Sequence, residues 1–156
     1  MERDYVSNLK QGKSVFLQGW VHEIRNLAKM KFLLLRDMTG IAQCVVKQGS
    51  KGFDEELTLE SVVEIQGRVK AAKLTNEELT KKNVEVEVSA LKILSRAEEL
   101  PMQVNAKAEE AELPTRLDYR SLDIRKPKIS AIFKIQSTIA NAFREFFYGK
   151  GFIEIQ

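Results

Sequence analysis

The sequence predicts a mainly β fold: five strands closing into a small barrel, then a hinge and one long helix. Three observations carry this. Val15, Leu17, Gly19 and Val21 alternate with Phe16, Gln18, Trp20 and His22, the period of two that marks a strand. Four more segments before residue 95 alternate in the same way or form short apolar runs between breaks. From Lys128 the apolar period changes to three and four and holds to about Tyr148, which is helical.

The elements follow in chain order. Residues 1–13 are polar, with Tyr5, Val6 and Leu9 at helical spacing, and predict a short helix or turn. Strand one runs into Arg25, and a short basic loop, Asn26 to Met30, carries Lys29 with Arg25 and Lys31 beside it. Strand two is Lys31 to Arg36. Phe32 and Leu34 share a face of it, and periodicity does not say whether that face is core or surface. Met38-Thr39-Gly40 is a turn with Gly40 available for positive φ. Ile41 to Lys47 is strand three, broken by Gly49-Ser50-Lys51-Gly52. Phe53 to Leu59 has helical spacing and predicts a short helix. Ser61 to Lys70 is strand four, with Gly67 marking a bulge or bend. Ala71 to Lys82 is a polar loop, and Asn83 to Leu94 is strand five, with Glu85 and Glu87 on one face. Five strands with a short helix between the third and fourth is the order of an OB-fold barrel, which binds oligonucleotides through its strand-two/three face and its first and fourth loops. A loop carrying Lys29, flanked by Arg25 and Lys31 and lying beside an aromatic residue on a sheet face, suits that use, cations for the backbone and a ring to stack a base.

Ser95 to Leu113 has no periodicity, has Pro101 and Pro114 near its ends, and carries Glu98, Glu99, Glu109, Glu110 and Glu112. It reads as a linker. Arg116, Arg120 and Arg125 follow in a segment whose Leu117, Leu122 and Ile124 can dock. Pro127 precedes the helix, and Gly149-Lys150-Gly151 ends it. Phe152-Ile153-Glu154-Ile155 begins a strand. Ile132, Phe133, Phe143, Phe146 and Phe147 give the helix an apolar stripe that one strand cannot bury, so a truncated second domain and a domain or dimer interface are expected. The boundaries read 1–95 for the barrel, 96–127 for the hinge and 128–156 for the start of the second domain.

Composition narrows the class. At 44% hydrophobic and 30% charged the chain is an ordinary globular one, and a net charge of +3 permits nucleic-acid binding without arguing for it. The single Cys44 excludes an intrachain disulfide and fits a reducing, cytoplasmic setting. Cys44 and His22 do not make a metal site. His22 reads as a polar surface residue, since no nucleophile or carboxylate triad accompanies it, and no catalytic residue is in view. Arg36 and Asp37 read as a structural pair or turn. There is no apolar run long enough to span a membrane and no signal peptide.

Several stretches carry a resemblance: Gly19-Trp20-Val21-His22, Phe32 to Asp37, Gly40 to Gln43, Thr115-Arg116-Leu117-Asp118-Tyr119-Arg120 with Leu122-Asp123-Ile124-Arg125, and Gly151 to Ile155. Together these resemble class IIb aminoacyl-tRNA synthetases, in particular the aspartyl branch of archaeal and eukaryotic type, from about Val15 to the last residue. The resemblance implies an anticodon-binding barrel, a hinge, and the opening of motif 1 of a class II catalytic domain at a homodimer interface. It implies that motifs 2 and 3, which bind ATP and Mg2+ in the parent aspartate–tRNA ligase, lie past Gln156. The chain alone is then expected to be inactive and to hold no cofactor. By position, Phe32 matches the aromatic that stacks on the middle anticodon base, and Gln43 the glutamine that hydrogen-bonds it. Arg25 matches an arginine contacting the same region, and Glu85 an acidic residue near the third base, a cytosine. Lys29 lies in the first loop, and Lys31, Arg116, Arg120 and Arg125 are candidates for the tRNA backbone. Where many members have Gly-Gly in the first loop, this chain has Ala28-Lys29, which leaves the loop's path open. The position of His22 and a lysine near Lys81 or Lys82 bear on whether tRNA(Asp) alone or also tRNA(Asn) is read.

Two other readings stand beside this one: a free-standing OB-fold protein binding single-stranded nucleic acid, and a non-catalytic synthetase-like interaction protein. The Arg-rich hinge and apolar helix weigh against the first.

Overall fold

The computed structural model describes residues 2–105 and 111–155; Glu109 and Glu110 of the expected linker and Gln156 lie outside them. The chain divides into two compact units, Met1–Leu100 and Pro101–Gln156.

In the first unit β1 (Ser14–Leu27), β2 (Met30–Asp37), β3 (Gly40–Lys51), β4 (Val62–Ala71) and β5 (Val84–Ser95) close into a barrel in the order β1-β2-β3-β5-β4. All pairs are antiparallel except β3 with β5. Closure leaves no free edge to pair with another chain. The predicted fold class is the observed one. Alternation fills the interior: Leu17 and Val21 from β1, Leu33 and Leu35 from β2, Cys44 and Val46 from β3, Val63, Ile65 and Val69 from β4, and Val86 from β5 are buried together. The run Leu33-Leu34-Leu35 breaks the alternation because Leu34 is covered from outside. Leu79, Ile41 and the half-buried Leu74 form a second cluster with it. The loop at 72–83 is therefore anchored. Thr80 N–H donates to the Ile41 carbonyl at 3.0 Å, and Ile41 N–H donates to Thr80 Oγ1 at 2.9 Å. Gly40 opens β3 at this point, and a Cβ there would collide with the Thr80 hydroxyl.

Several boundaries differ from the sequence reading. The residues before Ser14 form a 3-10 turn, Val6–Asn8. β1 and β2 run to Leu27 and from Met30, so the first loop is only the turn at Ala28-Lys29. β3 passes through Gly49-Ser50-Lys51 because β5 supports it: Lys51 pairs with Ala90, and Ser50 Oγ donates to the Val88 carbonyl at 2.9 Å. Gly52, at φ 85°, makes the break instead. No helix forms over Phe53–Leu59. Phe53, Leu57 and Leu59 pack singly against the barrel core, a spacing that no one helical stripe provides. The bulge expected at Gly67 is present as a register shift between Gln66 and Gly67, and a Cβ there would collide with the Glu87 carbonyl.

The second unit contains α1 (Leu113–Asp118), α2 (Arg120–Asp123) and α3 (Pro127–Gly149). Pro127 starts α3 where its missing N–H has no helical acceptor to lose. Its end is a Schellman cap. Gly151, at φ 80°, donates to the Tyr148 carbonyl at 3.0 Å, and Phe152 N–H donates to the Phe147 carbonyl at 3.1 Å. The Phe147 and Phe152 rings meet edge to face at 5.3 Å across that cap. Residues 152–155 take no regular secondary structure and pair with no strand among the described residues, so the expected strand is not formed. Glu154 instead accepts from Arg144 Nε at 3.2 Å and from Tyr148 OH at 2.9 Å. Among the described residues no helix is long and apolar enough to cross a membrane.

Candidate nucleic-acid interface

The register decides which face of β2 is outward. Arg25 lies opposite Phe32, Phe32 opposite Val45, and Val45 beside Glu87. The next row holds Glu23, Leu34 and Gln43, with Glu85 on β5. Between the rows lie Ile24, Leu33, Cys44 and Val86, which pack inward. A strand alternates its side chains, so Phe32 faces outward, half-buried, and Arg25 is exposed.

Polar contacts organise this face. Gln43 Nε2 donates to Glu85 Oε2 at 2.9 Å, bringing together two residues that lie far apart in sequence. Glu87 forms ion pairs with both Lys47 and Lys70. Hydrogen bonds from the two ammonium groups hold its carboxyl down at about 2. The hydrogen bond to Glu87 raises Lys47 in turn. Beneath the face, burial and then the charge of Glu85 push the Cys44 thiol up to about 12, so it is an unreactive packing residue.

The other predicted residues are distributed differently. Lys29 is exposed at the β1–β2 turn, whose path is fixed by Gln48 N–H donating to the Lys29 carbonyl at 2.9 Å. Lys31 is opposite the buried Val46 and so points away from Phe32. Its Nζ donates to the Glu55 carbonyl at 2.8 Å and sits 5.2 Å from the Phe53 ring centroid. Arg116 and Arg120 converge on the fully buried Asp123, at 3.0 Å and 2.6 Å, and Arg120 also lies over the Phe133 ring at 5.2 Å. Arg125 is half-buried. On α3, Ile132, Phe133, Phe143 and Phe146 are exposed, while Phe147 is half-buried among Phe143, Phe146 and Phe152.

His22 is buried rather than on the surface. A bulge between Val21 and Glu23 takes it out of the alternation. Asp37 does build the turn, accepting from Thr39 N–H at 2.7 Å and Gly40 N–H at 3.0 Å, and it also holds Val6 N–H at 2.8 Å. Arg36 pairs not with Asp37 but with Glu60, at 2.7 Å. The lysines around Glu87 were not singled out in the sequence. Glu87 was visible by alternation, but its partners come from two other strands. Among the described residues no group of three or more His, Cys, Asp or Glu could hold a metal ion.

Comparison with known proteins adds to this geometry. Residues 15–94 match the family model for an OB-fold nucleic acid binding domain, and residues 112–156 the model for class II tRNA synthetases of the D, K and N group. The chain is 43% identical over 150 residues to the aspartate–tRNA(Asp/Asn) ligase of Aeropyrum pernix, covering 92% of this chain and 32% of that protein. It is 38% identical over 163 residues to the ligase of the same name from Archaeoglobus fulgidus, covering 98% of this chain and 36% of that one. The chain thus spans about a third of the length of these curated relatives. Aspartyl-tRNA synthetase from Entamoeba histolytica superposes with a TM-score of 0.87 at 28% identity, covering 99% of this chain and 39% of that one. Asparaginyl-tRNA synthetase from Pyrococcus horikoshii, solved with asparaginyl-adenylate, gives 0.83 at 35% identity, covering 100% and 36%.

Proposed function

The chain belongs to the OB-fold nucleic acid binding domain family, and on that premise we propose that it reads a tRNA anticodon as part of an aspartate–tRNA ligase. The observation that carries this reading is the outward face on which Arg25, Phe32, Gln43 and Glu85 occupy neighbouring strands. Phe32 stacks on the middle base, and Gln43 reads that base's edge. Arg25 contacts the same region. Glu85 accepts from the exocyclic amine of a cytosine at the third position. Lys29, exposed at the turn beside them, holds a phosphate.

In this proposal residues 1–95 are the anticodon domain, 96–127 the hinge and 128–156 the start of a catalytic domain. Lys31, Arg116, Arg120 and Arg125 are backbone candidates, though the salt bridges of Arg116 and Arg120 to Asp123 favour a role in shaping the hinge. Ile132, Phe133, Phe143, Phe146 and Phe147 line a homodimer interface. The parent reaction joins aspartate to tRNA using ATP and Mg2+ in the cytoplasm. The name shared by the archaeal relatives supports acceptance of tRNA(Asn) as well as tRNA(Asp).

The test is fluorescence anisotropy with RNA stem-loops of anticodon GUC, GUU and a middle-base variant, beside an unstructured oligonucleotide of equal length. The GUC loop should bind at least about tenfold tighter than the middle-base variant, the order of one bidentate base contact. Equal affinity for the unstructured strand would favour a sequence-blind single-strand binder.

A further inference from the structure

We infer that Glu85 is a positioning residue that fixes which way round the Gln43 amide faces the base, and so sets the discrimination at the middle position. The inference rests on the anticodon reading above and gives Glu85 a role there beyond a contact to the third base.

A glutamine side chain carries a carbonyl acceptor and an NH2 donor on nearly the same shape, and a half-turn about its last bond exchanges them. Unrestrained, Gln43 could offer acceptor and donor in either order. A uracil edge presents N3–H beside a carbonyl, and a cytosine edge presents N3 beside an amino group. Each therefore suits one of the two orders, and a freely turning glutamine accepts both.

Glu85 removes that freedom. An ionised carboxylate only accepts hydrogen bonds. With Gln43 Nε2 2.9 Å from Glu85 Oε2, the amide nitrogen is on the Glu85 side. The reversed amide would set a carbonyl oxygen against the carboxylate, two acceptors with no proton between them. The N–H donated to Glu85 leaves the second N–H and Oε1 for the base, in one fixed order. The fold holds both partners at backbone level: Cys44 pairs with Val86 in the parallel β3–β5 ladder, and Gln43 and Glu85 are the residues just before each. The ion pairs of Glu87 with Lys47 and Lys70 keep those two ammonium groups on the neighbouring carboxylate. Gln43 donates to Glu85 Oε2 beside them.

The experiment uses the whole chain and compares Glu85→Gln with the wild type on stem-loops that differ only at the middle base, U or C, and only at the third base. A glutamine at 85 can present either its oxygen or its nitrogen to Gln43, so the amide turns freely while shape is kept. Discrimination between middle U and middle C should fall from roughly five- to hundredfold to under about threefold. Because the Glu85 carboxylate also accepts from the third-base cytosine, affinity for loops with that cytosine should fall by one common factor whichever base is in the middle, and the ratio between middle U and middle C is the readout. In a Gln43→Ala background the Glu85→Gln change should leave middle-base discrimination unaltered. Side-chain amide NMR of Gln43, without RNA, should show one N–H resonance shifted by its hydrogen bond in the wild type, and a smaller shift in Glu85→Gln, where the bond is made only part of the time. Undiminished U/C discrimination in Glu85→Gln, or the same loss in the Gln43→Ala background, overturns the positioning role. A wild type that ignores both base changes would instead remove the anticodon reading itself, while the NMR comparison would still report whether Glu85 locks the amide.

Discussion

Arg36 donates to His22 Nδ1 at 2.9 Å, and this contact fixes the proton on a buried imidazole. A guanidinium has no acceptor, so Nδ1 must be the unprotonated nitrogen and Nε2 carries the hydrogen. Nε2 then donates to Glu78 Oε1, 3.4 Å away on the β4–β5 loop. The other end of the Arg36 fork meets Glu60 Oε2 at 2.7 Å. His22, Arg36, Glu60 and Glu78 thus tie β1, β2 and both long loops into one polar network, with His22 and Glu60 buried and Arg36 and Glu78 partly buried.

Removing one charge from that network should be worse than removing two. Arg36→Met takes the guanidinium away from the Glu60 carboxylate, whose side chain is 4% exposed. We expect a loss of about 3–5 kcal/mol in urea unfolding, the usual consequence of removing one member of a buried ion pair. Arg36→Met with Glu60→Leu should regain most of it. A single variant as stable as the wild type would mean that the pair contributes nothing.

The barrel was legible in the sequence because its strands obey the period of two. What failed to show were features set by partners remote in sequence. Val21 and His22 are both buried, and a period of two allows only one of them, so the bulge hid His22. Ser50 and Lys51 look like the end of a strand, and β5 carries them on. Phe53 and Leu57 have the spacing of a helix, yet each is anchored separately to the barrel. Phe32 and Gln43 were named from resemblance, and their outward orientation needed the register. The Gln43–Glu85 contact depends on a parallel pairing that no local pattern encodes.

Glu87 should give the acid limb a recognisable shape. Its folded pKa of about 2 lies below the ordinary value of 4.5, so folding favours the ionised form. The stability it contributes is present above about pH 4.5 and is lost as pH falls towards about 2. Glu87→Gln should therefore be less stable than the wild type at pH 7, with the gap closing across that window. Urea midpoints measured from pH 7 to pH 2 test this, and a gap that stays constant throughout contradicts it.

Lys29 stands exposed at the β1–β2 turn. As a phosphate contact it should contribute affinity without sequence preference. Lys29→Ala should weaken all stem-loops alike and reduce the slope of log K against log salt by about 0.7 to 0.9, the value for one phosphate neutralised. A variant that changes the preference among loops while keeping the slope would make Lys29 a base contact.

Ile132, Ile139, Phe143 and Phe146 are 53–66% exposed on α3. Burying such a stripe contributes about 25 cal/mol per Å², and stable interfaces bury on the order of 1,200–2,000 Å². The chain should therefore self-associate at micromolar concentration, and Phe143→Lys with Phe146→Lys should weaken this. Truncation after Leu100 should abolish it. Sedimentation velocity checks all three, and a wild type that stays monomeric at high concentration removes the interface.

Phe32 separates the two uses a barrel makes of an aromatic. Its strand neighbour Leu33 is fully buried in the barrel interior, whereas Phe32 is half-buried on the outer face between Arg25 and Val45. An interior ring would cost about 3–5 kcal/mol of stability on truncation to alanine, through the cavity left behind. An outer ring used for stacking should cost about 1–3 kcal/mol of RNA binding instead, roughly five- to hundredfold in affinity. We expect Phe32→Ala to melt within a few degrees of the wild type and to lose that affinity for the GUC loop. Phe32→Tyr keeps the stacking surface and should retain most of the binding, while Leu33→Ala should lose stability first. If Phe32→Ala binds the GUC loop as the wild type does, the outer face of β2 is not where the base stacks, and Gln43 beside it loses its assignment too.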